Sequence, residues 1–262
     1  MKIFCVTDKA LPHLDNTFLK FAGVGINDFP EKYLKSNTKI NIFEKEKYYS
    51  ELTFHYWYWK NLLPHENSDW IGFCQKRRFW VKSNSIIENI NKKNLINHLL
   101  DRPEDDWHKY DSIICKPVDV SGTKKIKLIK RGWKNIINNP LVLLNKNTHT
   151  IKLHFDLHHG FGNLEKAIEL LNEEDKEGFN IFVNQNTKFN PHVMFIARKE
   201  VLNKWFINLF NWLEKCEKIF GFDSLKGYET GRLYAYLAER YLSYWFKKNT
   251  RFKELPWVFI NN

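Results

Sequence analysis

The string Gln75-Lys76-Arg77-Arg78 follows directly on an apolar run, Trp70 to Cys74, and carries three cations with no carboxylate among them. An arginine fork binds phosphate oxygens bidentately and keeps its charge at any working pH. Arg77 and Arg78 therefore suit a phosphate-bearing partner. A solvated surface pair is the plainer reading of the same residues. A second constellation, His154, Asp156 and His158, alternates as on one face of a strand. There it would hold a divalent cation, with two imidazoles favouring Mn²⁺ over Mg²⁺, or let Asp156 and His158 activate a hydroxyl; a polar strand edge accounts for it equally well. For a general base, the sequence offers Glu239, set among Tyr236, Leu237, Tyr241 and Leu242, and Glu229 in the glycine-flanked GYETGR. Glu239 reads equally as a structural partner of Arg232 or Arg240. Asp101, Asp105 and Asp106 surround Pro103 and read as a turn.

The elements that must position these groups alternate between strand and helix. KIFCVT is a first buried strand whose end brings Thr7 and Asp8 to the edge where open α/β sheets place ligands. In YYSELTFHYWYWKNLLP, Tyr49, Leu52, Tyr56, Trp59 and Leu63 recur at helical spacing, predicting one amphipathic helix stopped at Pro64. A strand over Trp70 to Cys74 then leads into the cationic string. DSIICKPVDV reads as a strand with a Pro break, and the basic stretch from Gly122 to Gly132 as a strand or loop. Helices are expected at NLEKAIELLNEEDKEG, after a strand from His192 to Ala197 up to Gly221, and at GRLYAYLAERYLSYWFKK. This is an α/β pattern in a single domain, 1–262, with a helical part over about 190–250.

Bulk composition narrows the partners. A net charge of +11, from 41 Lys and Arg against 30 Asp and Glu, is spread along the chain and points to an anionic partner. Ten Trp suit stacking on bases or sugars and seating at a lipid interface as well as ordinary core packing. No nucleic-acid reading module is recognisable, so a noncatalytic basic nucleic-acid-binding protein is the weaker alternative. The opening MKIFCVTDKALPH lacks the long apolar core of a secretory leader, and no apolar stretch reaches the roughly 20 residues of a membrane span. The four scattered cysteines read as reduced thiols, and the expected location is cytoplasmic, with peripheral contact at the inner face of the inner membrane.

Tyr49, Glu51, Leu52 and Thr53, followed by Tyr56, Trp57, Trp59, Lys60 and Asn61, resemble the YxELTxxYWxWKN signature of a bacterial capsular polysaccharide and lipooligosaccharide glycosyltransferase family. Ile71 to Trp80 is similar to the family's IGLCHYRRYF string, with Gln75 and Lys76 in place of its His and Tyr. His192 to Trp205 and Arg232 to Trp245 resemble two further blocks. The resemblance implies a GT-A-like, Rossmann-like nucleotide-sugar-binding fold. It also implies transfer of a sugar from a nucleotide-sugar, with UDP as the expected nucleotide, to a glycan or lipid-linked glycan acceptor. Transfer of a phosphate-containing group in capsule modification is the second reading. Donor-binding roles are expected for Thr7, Asp8, Tyr49, Glu51, Thr53, Lys60, Arg77 and Arg78, and acceptor-binding roles for Asn190, His192 and Arg232. Glu51 would contact donor hydroxyls or pair with Lys60 or a first-loop lysine. No cofactor is required by this reading, and Mn²⁺ or Mg²⁺ at the histidine–aspartate set is the competing expectation.

Overall fold

Within KIFCVT, Phe4 and Val6 face one side and Ile3 and Cys5 the other, and all four are buried, so this strand is covered on both faces. The computed structural model describes residues 1–122, 137 and 149–261, except the side chains of Tyr228 and Glu229. The basic stretch after Gly122 lies outside the described residues. Among them, the strands in chain order are β1 (Lys2–Thr7), β2 (Lys20–Gly23), β3 (Leu34–Lys35), β4 (Ile71–Gln75), β5 (Arg78–Trp80), β6 (Ser112–Cys115), β7 (Val118–Asp119), β8 (Lys188–Phe189), β9 (Phe195–Ala197), β10 (Phe252–Leu255) and β11 (Trp257–Phe259). The α-helices are α1 (Glu46–Tyr49), α2 (Leu52–Asn61), α3 (Leu95–His98), α4 (Ile151–His159), α5 (Asn163–Ile168), α6 (Glu173–Gln185), α7 (Lys199–Phe220), α8 (Gly227–Gly231) and α9 (Leu233–Asn249).

The contacts gather the chain into two compact units. The first comprises Met1–Lys116, His192–Asn208 and Phe246–Asn262 and holds a sheet of order β10-β6-β9-β4-β1-β2-β3, with β5 added to β4 and β11 to β5. Along that path β9 alone runs against the other strands, because it pairs antiparallel with both β4 and β6. The close approach of β4 and β9 requires Gly72: a Cβ there would meet the Ile196 side chain at 2.7 Å. Phe4 and Phe73 face Phe54 and Tyr58 of α2, while Cys5, Cys74, Trp80 and Trp107 fill the opposite face. This is the α/β class expected, with strands at the predicted places for β1, β4 and β6. All four cysteines are buried and none forms a disulfide.

The second unit, Pro117–Pro191 with Leu209–Trp245, is built mainly of helices and adds the β7–β8 pair. Phe179, Trp212 and Tyr241 form an aromatic centre, with Trp212 Nε1 donating to the Ala167 carbonyl at 2.7 Å and the Tyr241 hydroxyl to Asp175 at 2.6 Å.

Two expectations about the elements are corrected. The signature helix is not continuous: Ser50, at φ 51°, separates α1 from α2. The buried face of α2 is Leu52, Thr53, Phe54, His55, Trp57 and Tyr58, while Tyr56 and Trp59 are only partly covered. The segment LHFDLHH is a helix, not a strand. The Thr150 hydroxyl caps its start by accepting from Leu153 N–H, Gly160 at φ 101° ends it, and burial on several sides produces the alternation that imitates a strand. Two strands, β10 and β11, also follow the last helix, where none was expected.

Candidate functional site

In the first unit, the carboxyl ends of the neighbouring parallel strands β1 and β4 bring together Thr7, Asp8, Gln75 and Lys76. The Lys76 N–H continues the ladder by donating to the Val6 carbonyl at 3.1 Å, and its ammonium reaches the Asp8 carboxylate at 2.5 Å. The Thr7 hydroxyl donates to the Lys9 carbonyl and accepts from Lys9 N–H, which fixes the turn leaving β1. Asn27, two residues past the left-handed Gly25, donates to the Asp8 carbonyl at 2.6 Å and ties the loop after β2 to the same edge.

Gln75 links a carboxylate to a cation. Its amide nitrogen donates to Glu51 at 2.6 Å, and its carbonyl oxygen accepts from Arg78 at 3.2 Å. Glu51 stands at the N-terminal end of α2, so the positive end of that helix dipole lies at the same edge. Arg77 and Arg78 both lie against the Phe259 ring, their guanidinium carbons 5.3 and 5.4 Å from its centroid. Arg77 makes no ion pair or side-chain hydrogen bond among the described residues, and its Nε is buried with no acceptor. Three cations and two carboxylates thus gather at one strand edge, and one guanidinium has no acceptor among the described residues.

Tyr49 and Thr53 are buried, and the Thr53 hydroxyl donates to the Ser50 carbonyl at 2.9 Å. Helix α2 runs from Glu51, beside the end of β4, towards Glu66, which pairs with Lys2 at the start of β1. Lys60 therefore stands roughly 13 Å along the axis from Glu51, nine residues at 1.5 Å each. There its ammonium caps the Trp59 ring at 3.4 Å. His192, at φ 61°, packs edge-on against Trp257 with centroids 4.6 Å apart.

The second unit gathers His154, His158, Glu239 and Arg240. On a helix, His154 and His158 share a face and stack at 4.2 Å, whereas Asp156 points elsewhere. Asp156 is 4% exposed, accepts from Lys152 at 3.1 Å and from Gly162 N–H at 3.1 Å, and so closes the Gly160–Gly162 turn. Burial pushes its carboxyl up, against the opposing pull of Lys152. Arg240, 2% exposed, binds Glu239, donates to His154 Nδ1 at 3.2 Å and lies 4.0 Å from the Phe189 ring centroid. Burial, followed by the Arg240 charge, lowers the His154 pKa to about 2, so this imidazole is neutral. His158 Nδ1 lies 2.8 Å from the His154 carbonyl and donates to it, which makes Nε2 the basic nitrogen. Asn190 is buried, its N–H donating to the Ser243 hydroxyl at 2.6 Å, and Arg232 is partly exposed at the end of α8. The Glu229 side chain lies outside the described residues.

The helix turns Asp156 away from His154 and His158, and among the described residues no three His, Cys, Asp or Glu side chains converge as metal ligands. The donor chemistry therefore does not fit a bound divalent ion there. Sequence reasoning missed Phe259, Asn27 and the stack of His159 on Tyr236 at 3.7 Å. The only signal for Phe259 was the apolar spacing in PWVFI, too short to read without its partner β5.

No helix among the described residues is long and apolar enough to cross a membrane. A search of the curated proteins finds no match. Among solved structures the chain is similar to a WbbM bifunctional glycosyltransferase in its apo form, with 20% identity and a TM-score of 0.68 over 100% of this chain and 45% of that one. It thus spans less than half the length of that protein, and the likeness establishes a shared GT-A-like α/β fold. The chain belongs to the family described as Domain of unknown function (DUF4422), whose model matches residues 2–250.

Proposed function

We infer that this protein is a glycosyltransferase that takes a sugar from a nucleotide-sugar, with the donor diphosphate at the carboxyl edge of β1 and β4. The observation that carries this reading is the Arg77 guanidinium at that edge with no acceptor among the described residues, beside Lys76 and Arg78. A cation without an acceptor calls for an anionic ligand. Negative charge develops on the leaving diphosphate as the glycosidic bond to the sugar breaks, and preorganised guanidinium groups stabilise it without reorganising. Glu51 and Gln75 hold Arg78 in place, and the N-terminal end of α2 adds its dipole. The shared fold with a bifunctional glycosyltransferase supports the reaction class. UDP as the nucleotide and a capsular or lipooligosaccharide acceptor follow from the resemblance in Tyr49 to Asn61 and Ile71 to Trp80, and the net charge of +11 with ten Trp suits an acceptor at the inner membrane face.

The acceptor hydroxyl must lose its proton. Of the four acid–base candidates, Asp156 is committed to Lys152 and Gly162, and Glu239 to Arg240. His158, partly exposed with Nε2 as its basic nitrogen, is the candidate in the second unit whose substitution tests that role. Thermal-shift screening against UDP-, GDP-, CMP- and TDP-sugars, followed by a donor-turnover assay, tests the proposal. One donor should raise the melting temperature by mass action and release its nucleotide faster in the presence of acceptor. Absence of stabilisation by any of them would refute it.

A further inference from the structure

A cavity of about 490 Å³ opens at the other end of the same strands, where Lys2 begins β1 and Lys20 begins β2. Its volume lies in the range of small-molecule sites. Five residues of β1 separate it from Thr7, roughly 17 Å at strand rise, so it is distinct from the diphosphate edge. Phe4, Phe21, Leu34 and Leu62 form an apolar lining. The rim is cationic but unevenly neutralised. Lys2 is bound to Glu66 at 2.8 Å and Lys32 to Asp15 at 2.7 Å. Lys20 and His65 have no side-chain partner among the described residues.

An apolar lining and an uncompensated ammonium together specify a ligand with an apolar body and one anionic group. We propose that this cavity binds a small amphiphilic anion of that chemistry, at a site separate from the donor nucleotide. The anionic group pairs with Lys20, and the apolar body covers Phe21 and Leu34.

The probe is 8-anilino-1-naphthalenesulfonate, which combines an aromatic body, a sulfonate and an N–H. Fluorescence titration of the full chain, with native near-ultraviolet circular dichroism as the control for folding, should show saturable binding of one probe per chain. Lys20→Glu, on the exposed rim, should weaken it at least tenfold without altering the fold. Leu62→Trp should fill the cavity and abolish it. The uncharged analogue N-phenyl-1-naphthylamine should bind at least tenfold more weakly, and saturating UDP should leave the probe in place. Equal binding of the neutral analogue, indifference to Lys20→Glu, or displacement by UDP would each overturn the proposal. Displacement by UDP bears only on this site, because the thermal-shift screen tests the donor edge independently.

Discussion

Gln75 donates its amide proton to Glu51 at 2.6 Å while its carbonyl oxygen accepts from Arg78, so the first turn of a helix and the end of a strand jointly hold one guanidinium. If Arg78 neutralises the leaving group, Arg78→Ala should lower turnover on the order of a hundredfold, as should Arg77→Ala. Gln75→Ala should cost less and act only through Arg78. In a double-mutant cycle, Gln75→Ala should therefore add almost nothing to Arg78→Ala, a coupling that a merely structural Gln75 would not show.

Chelation provides a second test. With cations at the strand edge and no described metal-ligand set, activity of purified enzyme treated with EDTA should largely survive. Activity that vanishes and returns with added Mn²⁺ or Mg²⁺ would show that the arginines do not replace a metal.

Asp156 and His158 were singled out together from the sequence, but the helix assigns them different work. Asp156→Ala leaves Lys152 with Glu165 as its remaining carboxylate and removes the acceptor of the Gly162 N–H, so it should destabilise the fold by about 2 kcal/mol in denaturant unfolding. His158→Ala should keep its stability and lose turnover. The reverse pattern would exchange the two roles.

His55 in α2 is fully buried against Phe73, Phe195 and Phe206, and burial lowers its pKa to about 3. In the unfolded chain a histidine titrates near 6.5, so below that pH the unfolded state takes up the proton first. The stability contributed by the neutral ring is complete above pH 6.5 and is lost as pH falls towards 3, by about 1.4 kcal/mol per pH unit for this group. His55 Nδ1 also lacks a partner, so His55→Leu should keep neutral-pH stability and flatten that acid limb. An unchanged limb, measured by urea unfolding between pH 7 and pH 4, would contradict the assignment.

What the sequence made legible follows from how local each signal is. The strand ends at Thr7 and Gln75 were readable because an apolar run stops abruptly at polar residues, and Gly221 marked the end of α7 by its left-handed turn. The histidine–aspartate segment was misread because helix burial on several sides reproduces a two-residue period. Strands β10 and β11 were missed because four- and three-residue edges acquire their identity from β6 and β5, far away in sequence. Phe259, against which both arginines lie, was missed with them.

The central claim is that the donor diphosphate lies at the carboxyl edge of β1 and β4, and the most direct measurement is a crystal structure of the protein with its nucleotide-sugar. The account predicts phosphate oxygens within hydrogen-bonding distance of the Arg77 or Arg78 guanidinium, beside Thr7 and Lys76. Phosphates bound more than about one helix turn from that edge, roughly 5 Å, would contradict it.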